Sequence, residues 1–243
     1  MTWSRRKFVL TGVGLLATGC SQRPLLVGTA PNPTWPDARN RPRPDGDLLP
    51  WVPPPTTPTN PAGPTVAAGS VQVGPIAAIA RGRWARGRPI SSRLNPLSSI
   101  HRVTVHHEGH KDPVRFDDWR NSSLRMEHIR RSHLDRGFGD IGYHLMIDRA
   151  GRIWQGRNLR FQGAHVREHN ENNLGIMVLG NFNKQSPTSA QLARLDDLLP
   201  KLTRFFGVSP GHVHTHRELM PTTCPGKRLQ KHMVTLRRNG RFV

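Results

Sequence analysis

Thirteen of the 22 prolines fall between Pro24 and Pro64. Proline locks φ and removes a backbone donor, and this stretch has little apolar surface to bury. The chain is thereby divided. Residues 21–75 are expected to form a disordered or polyproline II linker. At about 3.1 Å per residue, its proline-rich part reaches roughly 130 Å at full extension. A core must come from residues 76–243, a length suited to a single domain. Apolar residues make up 35% of the chain, against roughly 45–50% in globular proteins. That deficit agrees with a sizeable part lying outside any core.

The first twenty residues read as an export signal. Ser4-Arg5-Arg6-Lys7-Phe8 is a twin-arginine pattern, and Val9 to Ala17 is a short apolar stretch. Leu16-Ala17-Thr18-Gly19-Cys20 resembles a bacterial lipobox, with Ala17 where Leu is usual. Cys20 is therefore expected to be acylated, tethering the chain to a membrane; the alternative is a cleavage site that discards it. The expected location is the periplasm or cell envelope, with a lipid anchor. Of the two cysteines only Cys224 would remain beside the fold, which leaves no internal disulfide. No stretch reaches the roughly 18 apolar residues of a membrane-spanning helix.

The formal charge is +20, from 36 basic and 16 acidic residues. It is spread along the chain and forms no single patch, and between Asp47 and Glu108 there is no acidic residue at all. With export, this predicts an anionic cell-envelope polymer as the neighbour and argues against nucleic acid. A monomer is expected.

Arg102 to His107 alternates, with Val103, Val105 and His107 on one face and Arg102, Thr104 and His106 on the other. Leu124 to Arg136 reads as a helix ended by Gly137. Tyr143 to Ile147 reads as a strand, Asp148 to Gly151 as a turn, and Arg152 to Trp154 as the returning strand. Leu174 to Leu179 is a nearly continuous apolar run, suited to a central strand. Thr188 to Phe206 is amphipathic at helical spacing, with Pro200 inside it. His212 to His216 reads as a short strand. The interleaving predicts an α/β fold: a single domain with a central mixed β-sheet flanked by helices.

Cys224 lies between Pro221-Thr222-Thr223 and Pro225-Gly226, eight residues after His216. A lone cysteine is either a small buried hydrophobe or a soft ligand. Beside a histidine-rich strand, a thiolate and an imidazole suit Zn²⁺. A third ligand would come from His106-His107. His107 shares the valine face and belongs to the core, so His106 is the better donor. Three protein ligands leave a fourth position for water, the catalytic arrangement. A cysteine nucleophile, Cys224 with His216, is the rival chemistry.

Several motifs occur in order. They are Val-Thr-Val-His-His ending at His107, Asp140-Ile141-Gly142-Tyr143-His144, Gly151 to Arg157, Gly163-Ala164-His165, Gly175 to Phe182, His216-Arg217-Glu218 and Thr223-Cys224-Pro225-Gly226. Together they resemble the zinc-dependent N-acetylmuramoyl-L-alanine amidase family, which includes phage lysozyme-amidases and peptidoglycan recognition proteins. The likeness runs from about Ile79 to Leu229. It implies a zinc site in a groove on the sheet, with one Zn²⁺ held by His106, His216 and Cys224. It implies that Tyr143 is a catalytic phenol. Thr222 falls where some phage enzymes carry a catalytic Lys and where catalytic recognition proteins carry Thr. His165 is implied as a substrate contact, with a hydrogen-bonded structural histidine as the alternative. His212 and His214 match no ligand position. The implied activity is hydrolysis of the amide between N-acetylmuramic acid and L-alanine in peptidoglycan or muropeptides. The alternative is a module that binds peptidoglycan without cleaving it.

Overall fold

The structure is a computed structural model that describes residues 69–240. The export signal, Cys20 and nearly all of the linker lie outside the described residues. One boundary moves. Ser70–Val73, assigned to the linker, is strand β1, paired antiparallel with β2, Ile76–Ile79. The segment follows the last linker proline and offers Val71 and Val73 to the core, so it has apolar surface to bury where the proline-rich stretch has none.

The remaining elements, in chain order, are β3 (Arg102–His107), α1 (Trp119–Asp135), β4 (Leu145–Ile147), β5 (Ile153–Gln155), β6 (Asn173–Val178), α2 (Ser189–Phe206), β7 (Val213–Thr215), α3 (His216–Leu219) and α4 (Lys227–Arg238). One seven-stranded sheet has the order β1-β2-β5-β4-β6-β3-β7. Its β4, β6, β3 and β7 are mutually parallel, while β4–β5 and β1–β2 are antiparallel. The mixed sheet with flanking helices matches the expected fold class.

The alternation in β3 decides the layering. Val103 and Val105 join Leu145, Ile147, Leu174 and Ile176 in a core sealed by α2 and α4 through Leu195, Leu199, Leu202, Leu229 and Met233. The opposite face carries Met146, Trp154 and Met177 against Met126 and Ile129 of α1. Thr104 and His106 point to that second face. Strand β6 is buried throughout, because both faces are covered.

Three elements differ in extent from the sequence expectation. Helix α1 starts five residues early, because Asp118 caps it by accepting from the Asn121 N–H at 2.9 Å, an N-cap chemistry that overrides a weak apolar start. Strand β4 begins at Leu145, so Tyr143 lies in the segment leading into it. Strand β7 ends at Thr215, and His216 opens α3. The turn before β5 has Gly151 at φ 78°, and α2 runs through Pro200.

Candidate metal centre

Parallel strands end on the same edge of a sheet, and ligand sites form beyond their carboxyl ends. Here β3 and β7 are parallel neighbours, with Val105 opposite Thr215. The next residue of each strand is a histidine, so His106 and His216 emerge side by side, ring centroids 4.6 Å apart. The loop after α3 returns Cys224 to the same edge. Its Sγ lies 3.6 Å from His106 Nδ1 and accepts from the His107 N–H at 3.4 Å. The ligand atoms of His106, His216 and Cys224 all lie within 4.8 Å of one another. Sequence reading and structure thus converge on the same three residues.

Two histidines are buried here and Cys224 is half-buried. Burial, and then the neighbouring His216, His165 and His107, hold His106 neutral well below the usual imidazole range. Burial alone lowers His216 to about 4. Burial pushes the Cys224 thiol up to about 12, against opposing pulls from the His107 N–H and Arg217. A metal fits this set. His216 Nε2 is buried without a hydrogen-bond partner, an orphan that costs free energy unless something satisfies it. Two neutral imidazoles and one thiol are a borderline-soft donor set of the kind Zn²⁺ takes.

His107 belongs to the core as expected. Its Nδ1 accepts from the Phe182 N–H at 3.1 Å. His212 and His214 stay outside the cluster, their rings 6.5 Å apart at the start of β7.

Tyr143 stands beside the cluster, its ring 5.3 Å from that of His106. Its backbone is pinned, since the Arg157 N–H donates to its carbonyl at 2.8 Å. The buried Arg157 guanidinium also donates to the carbonyls of Asp140, Ile141 and Gln162. That single cation satisfies the strandless segment before β4, where no sheet partner can. Burial, then the nearby Cys224, raises the phenol well above its ordinary value, so its proton stays on.

Thr222 reaches the site through the loop. Its Oγ1 accepts from the Cys224 N–H at 3.2 Å, which sets the cysteine's approach. His165 lies behind His106, 3% exposed, with both ring nitrogens engaged inside the protein. That position differs from the expected groove contact.

Sequence reading missed the other wall. A cavity of about 80 Å³ adjoins Tyr143 and is lined by Glu108, His110, Arg125, His128, His133 and Arg136, among others. Glu108 is buried and ion-paired with Arg125 of α1. Burial raises its carboxyl against the lowering pull of Arg125. The available signal was that Glu108 is the first acidic residue after Asp47 and follows the histidine pair directly.

A family profile described as N-acetylmuramoyl-L-alanine amidase matches residues 96–227. A human protein named N-acetylmuramoyl-L-alanine amidase is 34% identical over 156 residues, covering 61% of this chain and 26% of its own length. The chain therefore spans about a quarter of that relative. Peptidoglycan-recognition protein SC2 of Drosophila melanogaster is 26% identical over 163 residues, 66% of this chain and 86% of its own. Among solved structures, peptidoglycan recognition protein LE in complex with tracheal cytotoxin, a monomeric diaminopimelic acid-type peptidoglycan, aligns with a TM-score of 0.59. That structure is 25% identical and covers 65% of this chain and 92% of its own.

Proposed function

The chain belongs to the N-acetylmuramoyl-L-alanine amidase family, and from that premise we propose that it is a zinc-dependent peptidoglycan amidase. The bond cleaved is the amide between N-acetylmuramic acid and the L-alanine of the stem peptide. The observation that carries this reading is the intact set of His106, His216 and Cys224, with the orphaned His216 Nε2 among them. Zn²⁺ held by these three would supply Lewis acidity and bring a water pKa down towards about 7.

The chain's own residues then have separable tasks. Tyr143 keeps its proton and stands at the rim of the cluster. It donates a hydrogen bond to the carbonyl oxygen of the scissile amide as that oxygen gains charge. Thr222 uses its oxygen to hold the Cys224 amide, which leaves its hydroxyl proton for the departing amine. The Glu108–Arg125 pair and Arg136 give the adjoining wall fixed charges against which a peptide orients.

The same reading gives the chain a place. We propose export by the twin-arginine signal and anchoring through acylated Cys20, with the linker spacing the domain from the membrane. In fractionated envelopes the wild-type protein should sediment with membranes and Cys20→Ala should not. A wild-type protein found wholly in the soluble fraction would remove the anchor.

The decisive measurement pairs metal content with wall hydrolysis. His106→Ala, His216→Ala and Cys224→Ser should each lose zinc and turbidity clearing together, and a chelator should abolish clearing by the wild type. Clearing that survives the chelator would favour a thiol nucleophile. Zinc and wall binding without any clearing would make the chain a recognition module, as some of its relatives are named.

A further inference from the structure

The second histidine layer behind the cluster sets which nitrogen the cluster receives. A carbonyl oxygen only accepts, and His165 Nε2 lies 3.2 Å from the Asn173 carbonyl. The proton of His165 is therefore on Nε2, provided the ring is neutral. Its surroundings require neutrality. The ring is 3% exposed, and its charged neighbours are His144, His216 and Arg157 rather than a carboxylate. A buried cation there would be uncompensated. With Nε2 protonated, His165 Nδ1 is a bare acceptor. It lies 3.0 Å from His106 Nε2, which must then carry the His106 proton. His106 Nδ1 is left with its lone pair aimed at the side where Cys224 Sγ lies at 3.6 Å.

The ring has no room to choose otherwise. A Cβ on Gly163 would come within 2.4 Å of His165 Cδ2, and one on Gly175 within 2.5 Å of the same atom. His144 closes the slot, accepting the Gly175 N–H on Nδ1 at 3.0 Å. Two glycines, a third imidazole and one β6 carbonyl thus hold one histidine in one orientation.

We propose that His165 is a positioning residue. Fixed by the Asn173 carbonyl and the Gly163–Gly175 slot, it accepts the His106 Nε2 proton and so presents His106 Nδ1 as the metal donor. This rests on the zinc reading above and assigns His165 no contact with substrate. Partners of this kind typically change metal affinity about 10–100-fold when removed.

The test uses the whole chain with ¹⁵N-labelled histidine. In the metal-free wild type, His106 should show a protonated Nε2 and a bare Nδ1. His165→Phe keeps a ring and removes the acceptor; it should scramble the His106 tautomer and weaken zinc binding about 10–100-fold. His165→Asn places an amide oxygen near the position of Nδ1 and should restore both readouts to near wild type. His106 protonated on Nδ1 in the wild type overturns the proposal, and that spectrum decides even if a variant fails to fold. So does His165→Phe with unchanged tautomer and affinity, or His165→Asn as impaired as His165→Phe. A wild type that takes up no zinc would instead overturn the metal reading, while the tautomer spectrum still decides the role of His165.

Discussion

At the scale of single residues, the cluster separates ligands from groups that act on the reacting atoms. Tyr143→Phe keeps the ring beside His106 and removes one hydroxyl. Zinc should stay bound, and the rate should fall as when an oxyanion donor is lost, about 2.7–4 kcal/mol of barrier. Full activity would reduce Tyr143 to packing. The protonation states yield a second expectation. With His216 down near 4 and the thiol up near 12, the metal-free site at pH 7–9 holds neutral imidazoles and a protonated thiol. Zinc uptake must therefore release about one proton, from Cys224, and affinity should rise about tenfold per pH unit across that window. Calorimetry in buffers of different ionisation enthalpy counts the protons. A value near zero would mean that the thiolate is already formed, and near two that an imidazolium remains. The three donors were legible because thiol and imidazole chemistry is local to a residue type. The place of His165 was not, since a Gly-Ala-His motif does not say that β6 runs against it.

At the scale of elements, local chemistry marked what exists and tertiary contacts marked where it stops. The periodic run of α2 was readable, and so was its cap. Thr188 Oγ1 accepts from the Gln191 N–H, and Gln191 Oε1 accepts from the Thr188 N–H, both at 3.1 Å. The fully buried Gln191 also donates to the Leu179 carbonyl, and Thr188 donates to that of Arg149. Thr188→Ala should therefore cost about 0.5–2 kcal/mol by denaturant unfolding. Gln191→Leu should cost more, since it strands a buried carbonyl and the cap amide together. Equal costs would show that the box acts only through the helix end. Strand β4 was misjudged by two residues because the Arg157 guanidinium, fourteen positions after Tyr143, satisfies the carbonyls that a sheet would otherwise take. No window around Tyr143 contains that information.

At the scale of the whole molecule, the order of strands departs from the order of sequence where the chemistry sits. His106 and Cys224 are 118 positions apart, and β7, which leads into His216, is the sheet's edge and three residues long. A bound ion would act as a cross-link that closes nearly the full length of the domain into one loop, on its least anchored border. Removing it should not melt the molecule. Strands β4 and β6 are buried on both faces and need no such clasp. Chelation should instead lower the local opening free energy of the border. Amides of Val213–Thr215, Arg217 and Met220 should exchange faster with solvent, while those of Leu174–Val178 keep their protection. Uniform loss of protection would mean that the ion supports the global fold. With selective loss, the metal would work as a latch on a hem, and the stretch between β7 and Cys224 would be the first to admit a protease.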